Sequence, residues 1–350
     1  MTAIRKNIFI GVAILGIWSC IKPEYDSIWT LELQEIHNTI GYCRDVAIHG
    51  DFAFVAAGQA GVQIWDRTRQ GDDALIMALD SISPLDDFND ISIVAYDTLN
   101  RILFAVENNN RVRVIDVGDP ANPEYQGEEL SEKSRDVVIK SEPGRFLMLV
   151  ADNDDGLKWA SFKLDTIPVG NDTLYLWSNY AGGEIPTPGA PTGIAYFGNM
   201  IAMSVGQKGF ELYSYQSFTE APGLVGRYDT QGYASSVTMP DENTVFVASD
   251  DGGAYYFDLM TLPVDTSGRV VTGKGVRFAE GLSVDHVSVE GNVAVLSLGS
   301  GGLALYDVSH RDRPESRGIF DIGYTYRSEL AGGTLFAATR EGLQIIQIKQ

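Results

Sequence analysis

Residues 61–66 read GVQIWD: a glycine, three apolar side chains interrupted by Gln63, and an acid. Sliding this hexad along the chain without gaps finds RVRVID (111–116), GLKWAS (156–161), GFELYS (209–214), GAYYFD (253–258), GLALYD (302–307) and GLQIIQ (342–347). Successive copies start 50, 45, 53, 44, 49 and 40 residues apart. Repetition at that period signals a solenoid or a propeller rather than a domain with one central core. The stretch is one copy of a unit, and the unit decides the fold.

Working outward, each hexad follows a turn rich in Gly, Asn or Asp (GQAG, NNNR, NDDG, GQKG, DDGG, GSGG, REG). These residues tolerate positive φ and close short hairpins. Before each turn lies an apolar run: AFVAA, ILFAV, FLMLV, MIAMSV, TVFVAS, VAVLSL and TLFAAT. Before that comes a shorter one: DVAI (45–48), DISIV (90–94), DVVI (136–139), GIAYF (193–197), SVTM (236–239), HVSV (286–289) and SELA (328–331). Looser runs such as ALIMALDSI (74–82), TLYLWS (173–178), GLVGRY (223–228) and RGIFDI (317–322) suit an outer edge.

Four short antiparallel strands per unit, with no amphipathic helix after residue 20, predict an all-β, seven-bladed β-propeller of four-stranded blades. Stacked blades bury both faces, which explains why strict alternation of polar and apolar residues is blurred. The seventh unit reaches Gln350 directly after its third strand. IWTLELQEI (28–36) is placed to supply the missing fourth, so residues 28–36 are expected to pair with residues 343–349 and leave no open edge in the ring. A linear array or a parallel β-helix, the competing architectures, would need no closing strand.

The totals agree with a large apolar interior: 350 residues, 44% of them hydrophobic. A formal charge of -21 disfavours nucleic acid as a partner, because phosphate binding needs clustered Lys and Arg. The two cysteines, Cys20 and Cys43, rule out a Cys-based zinc site. Four scattered histidines (His37, His49, His286, His310) show no ligand spacing, so neither metal nor cofactor is expected.

The first twenty residues, MTAIRKNIFIGVAILGIWSC, combine a basic start (Arg5, Lys6), an apolar stretch from Ile8 to Trp18 that is short for a membrane span, and a small residue before a cysteine. The ending Ile17-Trp18-Ser19-Cys20 resembles the lipobox of bacterial lipoproteins. That resemblance implies a signal peptide over 1–19, lipidation of Cys20, a tether over 20–27 and a propeller domain over 28–350. The implied address is the cell envelope, lipid-anchored at the outer membrane, on its periplasmic or surface face.

VRVIDVGDPANP (112–123), GLALYDVSHRDRP (302–314) and RDVAIHGDFAFVAAGQAGVQIWD (44–66) are similar to the LVIVD repeat family. The resemblance runs over about residues 28–350 and implies a bacterial or archaeal surface or secreted propeller. In the third unit (157–191) and the fifth (254–284) the outer strand and its loops are longer than the pattern.

In a blade the inner strand starts at the channel mouth, on the same face as the turns between second and third strands. That face is expected to present Arg44, Asp45, Asn89, Asp90, Arg135, Asp136, Asp285, His286 and Arg327. Of these, Arg44, Asp45, Asp90, Arg135, Asp136, His286 and Arg327 form the candidate ligand site, since charges converging on a concave funnel are the default place for a ligand. The competing assignment is a structural ring of arginines paired with neighbouring carboxylates.

The hexad's last residue is Asp66, Asp116, Asp258 or Asp307 in four copies and Ser161 or Ser214 in two, types that bond the backbone two residues on and start a turn. SDDGGAYY (249–256) copies a sialidase Asp-box but falls between second and third strands, where a simple turn is expected. Cys43 is expected to be a packed thiol, and Trp65, Trp159 and Trp177 core residues. No catalytic set emerges. The leading expectation is a non-enzymatic envelope protein that binds a protein or glycan partner through the channel mouth. The runner-up is a polysaccharide-active hydrolase or lyase using carboxylates there, and a third is a structural brace in an envelope complex.

Overall fold

The computed structural model describes residues 28–83, 86–88, 90–108, 110–129, 133–170, 172–267, 269–271 and 275–350. The expected signal (1–19), Cys20, the tether and Asn89 lie outside the described residues.

Seven antiparallel sheets follow one another along the chain, each built inner strand first. In blade 1 these are Asp45–His49, Phe52–Ala56, Val62–Asp66 and Leu75–Leu79. All seven hexads form third strands, and in blades 1, 2 and 6 four of the five strand residues are buried, as neighbours on both faces require. The hexad glycine has two reasons to lack a side chain. Gly61 has φ +77°, and a Cβ there would come within 1.9 Å of the Leu79 carbonyl oxygen.

The last blade is closed by the chain's other end. Thr30–His37 pairs antiparallel with Gly342–Lys349, from Thr30↔Lys349 to His37↔Leu343, with a bulge between Leu33 and Glu35. The expected pairing is the observed one. Just ahead of it, the Trp29 amide donates to the Arg317 carbonyl of blade 6 (3.0 Å), and the indole packs with Val295, Leu305 and Leu335. The closing strand thus joins one blade and braces the next.

Cores form between blades, not within one centre. Phe54 and Ile64 meet Leu103 and Ile115 between blades 1 and 2, Phe104 and Val112 meet Phe146 and Met148 between blades 2 and 3, and Val55 and Trp65 meet Phe336 and Leu343 across the closing seam. Cys43 is fully buried at that seam, and burial pushes its thiol pKa up. Trp65 and Trp159 are buried, and Trp177 packs against the core between blades 2 and 3.

Two blades depart from the pattern. In blade 3 the third and outer strands run to 14 residues each, Gly156–Val169 and Asp172–Ile185, and extend as a hairpin arm beyond the second strand. In blade 5 the expected long outer strand is instead short, Val276–Phe278. The extra length makes a detour to blade 4, where Val270–Val271 pairs parallel with Gly223–Tyr228 and Tyr228 Oη donates to the Pro263 carbonyl (3.0 Å). The detour covers an edge that the other blades leave open.

The four hexad aspartates start turns as expected: Asp66, Asp116, Asp258 and Asp307 each accept from the amide two residues on, at 2.7–2.9 Å. Ser161 differs, since its hydroxyl donates to the Phe218 carbonyl of blade 4.

Candidate functional site at the channel and its mouth

Seven inner strands face one another around the axis, and the space between them encloses about 320 Å³. Its wall carries Asp45, Asp136, His286, Arg327 and Glu329 among Val94, Val138, Tyr196 and Thr238. A repeated device sets their positions. A side chain on one inner strand accepts from a backbone amide of the next blade: Asp45 from Val94 (3.1 Å), Asp136 from Ile194 (3.3 Å), Ser236 from Val287 (3.3 Å), Ser288 from Leu330 (3.2 Å) and Glu329 from Ile48 (3.2 Å). Inner strands of adjacent blades do not pair as a sheet, so their inward amides need acceptors, and short polar side chains supply them.

Arg327 spans the channel from blade 7 to blade 3, its Nη2 3.2 Å from Asp136 Oδ2. Burial works against the guanidinium's charge, but Asp136 and Asp45 outweigh it and raise its pKa. Burial lifts the Asp45 carboxyl to about 6, with Arg327 and the Val94 amide opposing. Burial lifts Glu329 further, to about 8, and the charge of Asp45 adds to the effect. His286 is held well below its ordinary value by burial and by Arg327, and its Nδ1 has no hydrogen-bond partner among the described residues. At neutral pH these shifts favour a charged Arg327 and a neutral imidazole, with Glu329 the carboxyl most inclined to keep its proton.

The other candidates lie at the rim, and they do not all converge. Arg44 pairs with Asp90 at 3.0 Å. Arg135 is half-buried with no ion-pair or hydrogen-bond partner among the described residues. Asp285 is exposed, and desolvation raises its pKa, with the charge of Asp250 adding to the effect.

Where blade 7 meets blade 1, the rim carries an aromatic and basic cluster. Tyr324 and Tyr326 lie 4.8 Å apart between ring centres, and Tyr42 lies 6.4 Å from Tyr326. Arg340 sits over Tyr324 at 4.4 Å and over Tyr42 at 5.5 Å, and Arg44 sits over Tyr326 at 5.7 Å. Tyr42 and Arg340 are exposed, while Tyr324 and Tyr326 are half-buried. Arg340 has no carboxylate partner among the described residues: its guanidinium is held by tyrosine faces and a bond to Tyr326.

Sequence reasoning named Arg44 but missed Glu329, Arg340 and the three tyrosines. Glu329 lies in the SELA run, and a polar side chain two residues after the charged start of an inner strand was the available signal. The tyrosines come from two ends of the chain and meet only because the ring closes. Among the described residues, no group of three metal-capable side chains is assembled, and no helix is long and apolar enough to cross a membrane.

The comparisons with known proteins agree with the propeller fold. Residues 40–66, which span the entry to blade 1 and its first three strands, match the LVIVD repeat model. Among solved structures, the chain is similar to U3-55K (TM-score 0.66, 10% identity, covering 91% of this chain and 98% of that one) and to the RRP9 WD40 repeats (0.65, 10%, 91% and 100%). It is also similar to the computationally designed Ika8 protein (0.57, 10%, 91% and 99%). At that identity the likeness is one of fold. No curated protein matches by sequence.

Proposed function

We propose that the chain is a lipid-anchored, non-enzymatic binding module of the cell envelope, at the outer membrane, which takes a protein or glycan partner on its channel-mouth face. The observation that carries this reading is the cluster of Tyr42, Tyr324, Tyr326, Arg44 and Arg340. Tyrosine and arginine supply large rigid contact area with a polar handle, the composition that dominates binding energy where partners meet. In a chain of charge -21, a guanidinium without a carboxylate partner is also a local attraction for acidic groups. The channel contributes less to binding a macromolecule. Its 320 Å³ equals the volume of about ten waters, too little for a polymer.

The test is recovery of partners from the native membrane fraction, alongside a panel of neutral and acidic glycans, with wild type, Tyr42→Ala, Arg340→Ala and Arg135→Ala. The rim reading expects Tyr42→Ala and Arg340→Ala to weaken binding by about tenfold or more, the loss typical of a central contact residue, and Arg135→Ala to weaken it less. Equal recovery with all four moves the site off this seam.

A second reading, a hydrolase or lyase acting on saccharide, draws on Glu329 and Asp45. Two carboxyls share the cavity, both raised by burial and Glu329 further than Asp45, and carboxyls of unequal proton affinity can divide acid and base roles. It predicts a saccharide-cleaving activity abolished by Glu329→Gln with rim binding intact.

A further inference from the structure

We infer that the hairpin arm of blade 3 rests in the interfacial layer of a lipid bilayer and turns the channel mouth away from it. This goes beyond the rim-binding reading and does not depend on it, but it rests on the lipid anchor proposed at Cys20.

The arm continues past the last residue pair between the second and third strands of blade 3, Arg145↔Lys163, while Leu164–Val169 stays paired with Asp172–Trp177. Six residues of strand reach roughly 20 Å. The end from which it projects is the face of the turns between inner and second strands, opposite the mouth, because Gly144 in such a turn accepts from the Leu164 amide. Both faces of the ribbon carry apolar side chains, alongside Thr166 and Thr173 on one and Asp165 on the other, where Asp172 is paired with Val169. One shows Leu164, Tyr175 and Trp177, the other Ile167, Val169, Leu174 and Leu176, with Tyr175 60%, Val169 57% and Leu174 51% exposed. A groove of about 450 Å³ separates the first face from the wall of blade 2, where Arg101, Asp116 and Glu124 stand. A ribbon built to dock on one protein surface needs only one apolar face. Apolar side chains on both, with acids and hydroxyls between them, suit the interfacial layer, which takes apolar and polar groups together.

The chain's entry point supports a lipid surface as that medium. Thr30 pairs with Lys349 at the same far end, so Ile28 enters the ring on the face from which the arm projects. The segment expected to tether Cys20 has seven residues, 21–27, and cannot exceed about 25 Å. Leash and arm are matched in reach. Exposed apolar side chains also lie in or beside turns at this end, at Leu99, Phe197 and Met260. The unpaired backbone edges of the arm limit its depth to the headgroup layer, where donors and acceptors remain.

Residues 28–350 contain every strand of the closed ring, so the ring is tested alone, held by a histidine tag ahead of Ile28 on nickel-chelating lipid in phosphatidylcholine vesicles. Cys43 is buried, so a polarity-sensitive dye is directed to Val169→Cys or, at the mouth, to Tyr42→Cys. The expected result is a blue shift with quenching by spin-labelled lipid at position 169 and neither at 42. Adding Ile167→Asp and Leu174→Asp should abolish both signals at 169. A water-exposed dye at 169 overturns the inference. So does a shift that depends on protein concentration without vesicles, which would give the arm to a second copy of this chain.

Discussion

Glu329 shows how a single side chain can make the whole ring sensitive to pH. Its neighbours are Asp45, Glu290, Arg67 and the Ile48 amide, and burial raises its pKa from 4.5 to about 8. The folded state therefore binds the proton more tightly than the unfolded chain. The resulting stabilisation is fully present below pH about 4.5 and is lost as pH rises through about 8. Glu329→Gln keeps a neutral group in place, so its melting temperature should fall less than that of wild type between pH 5 and pH 9. The difference in stability at the alkaline end should be a few kcal/mol. Parallel melting curves would show that the carboxyl is hydrated. Arg327 makes the opposite case. Arg327→Met leaves Asp136 and Asp45 without their counter-charge, and a cost of about 3 kcal/mol is expected in denaturant unfolding at neutral pH. Lowering the pH to 5 should recover part of it, because Asp45, already raised to about 6 by burial, then takes up its proton.

At the scale of the strand, the hexad explains why such different sequences make the same element. Its first position needs a left-handed backbone and close approach. Gly61→Ala should cost at least about 3 kcal/mol, whereas Gly50→Ala, with φ +54° but open space around its Cβ, should cost only the backbone strain of about 1 kcal/mol. Comparing the two melting temperatures separates clash from strain. The third position is polar in most copies yet buried in several. Gln63 donates to the Ile40 carbonyl and Gln344 to the Ile322 carbonyl, each at 2.8 Å, so equivalent residues fasten the chain entering blades 1 and 7. Arg113 at the same position is fully buried and answered by Glu107 at 2.9 Å. A polar letter in the repeat marks an internal bond here, not a solvated face.

On the scale of the whole molecule, the ring stands on one noncovalent closure. Removing residues 1–37 would leave residues 343–349 as an open edge and take Trp29 out of the blade 6 and blade 7 core. Such a chain should lose its cooperative melting transition and aggregate, while removal of residues 1–27 should leave the transition unchanged. Trp29→Ala tests the brace without opening the edge, with a loss of about 3–5 kcal/mol. A transition that survives deletion to residue 37 would show that closure contributes little.

The repeat, the blade count, the four-strand plan and the closing strand were legible in the chain because each follows from local pattern: turn residues at fixed offsets, apolar runs between them, and one strand missing at the end. The inner-strand charges were legible too, as positions. Which of them meet was not, since Arg327 and Asp136 are 191 residues apart and become partners only across a finished channel. Glu329 looked ordinary because its proton affinity comes from burial, a property of the assembled wall. The tyrosine and arginine rim is assembled from Tyr42 and Tyr324–Tyr326 at opposite ends of the sequence. The detour of blade 5 onto blade 4 was hidden for a related reason: a loop's length is visible in sequence, but its destination depends on which neighbouring edge is left unpaired. Periodicity is local and survives in one dimension, whereas proximity and dielectric surroundings exist only after the ring has closed.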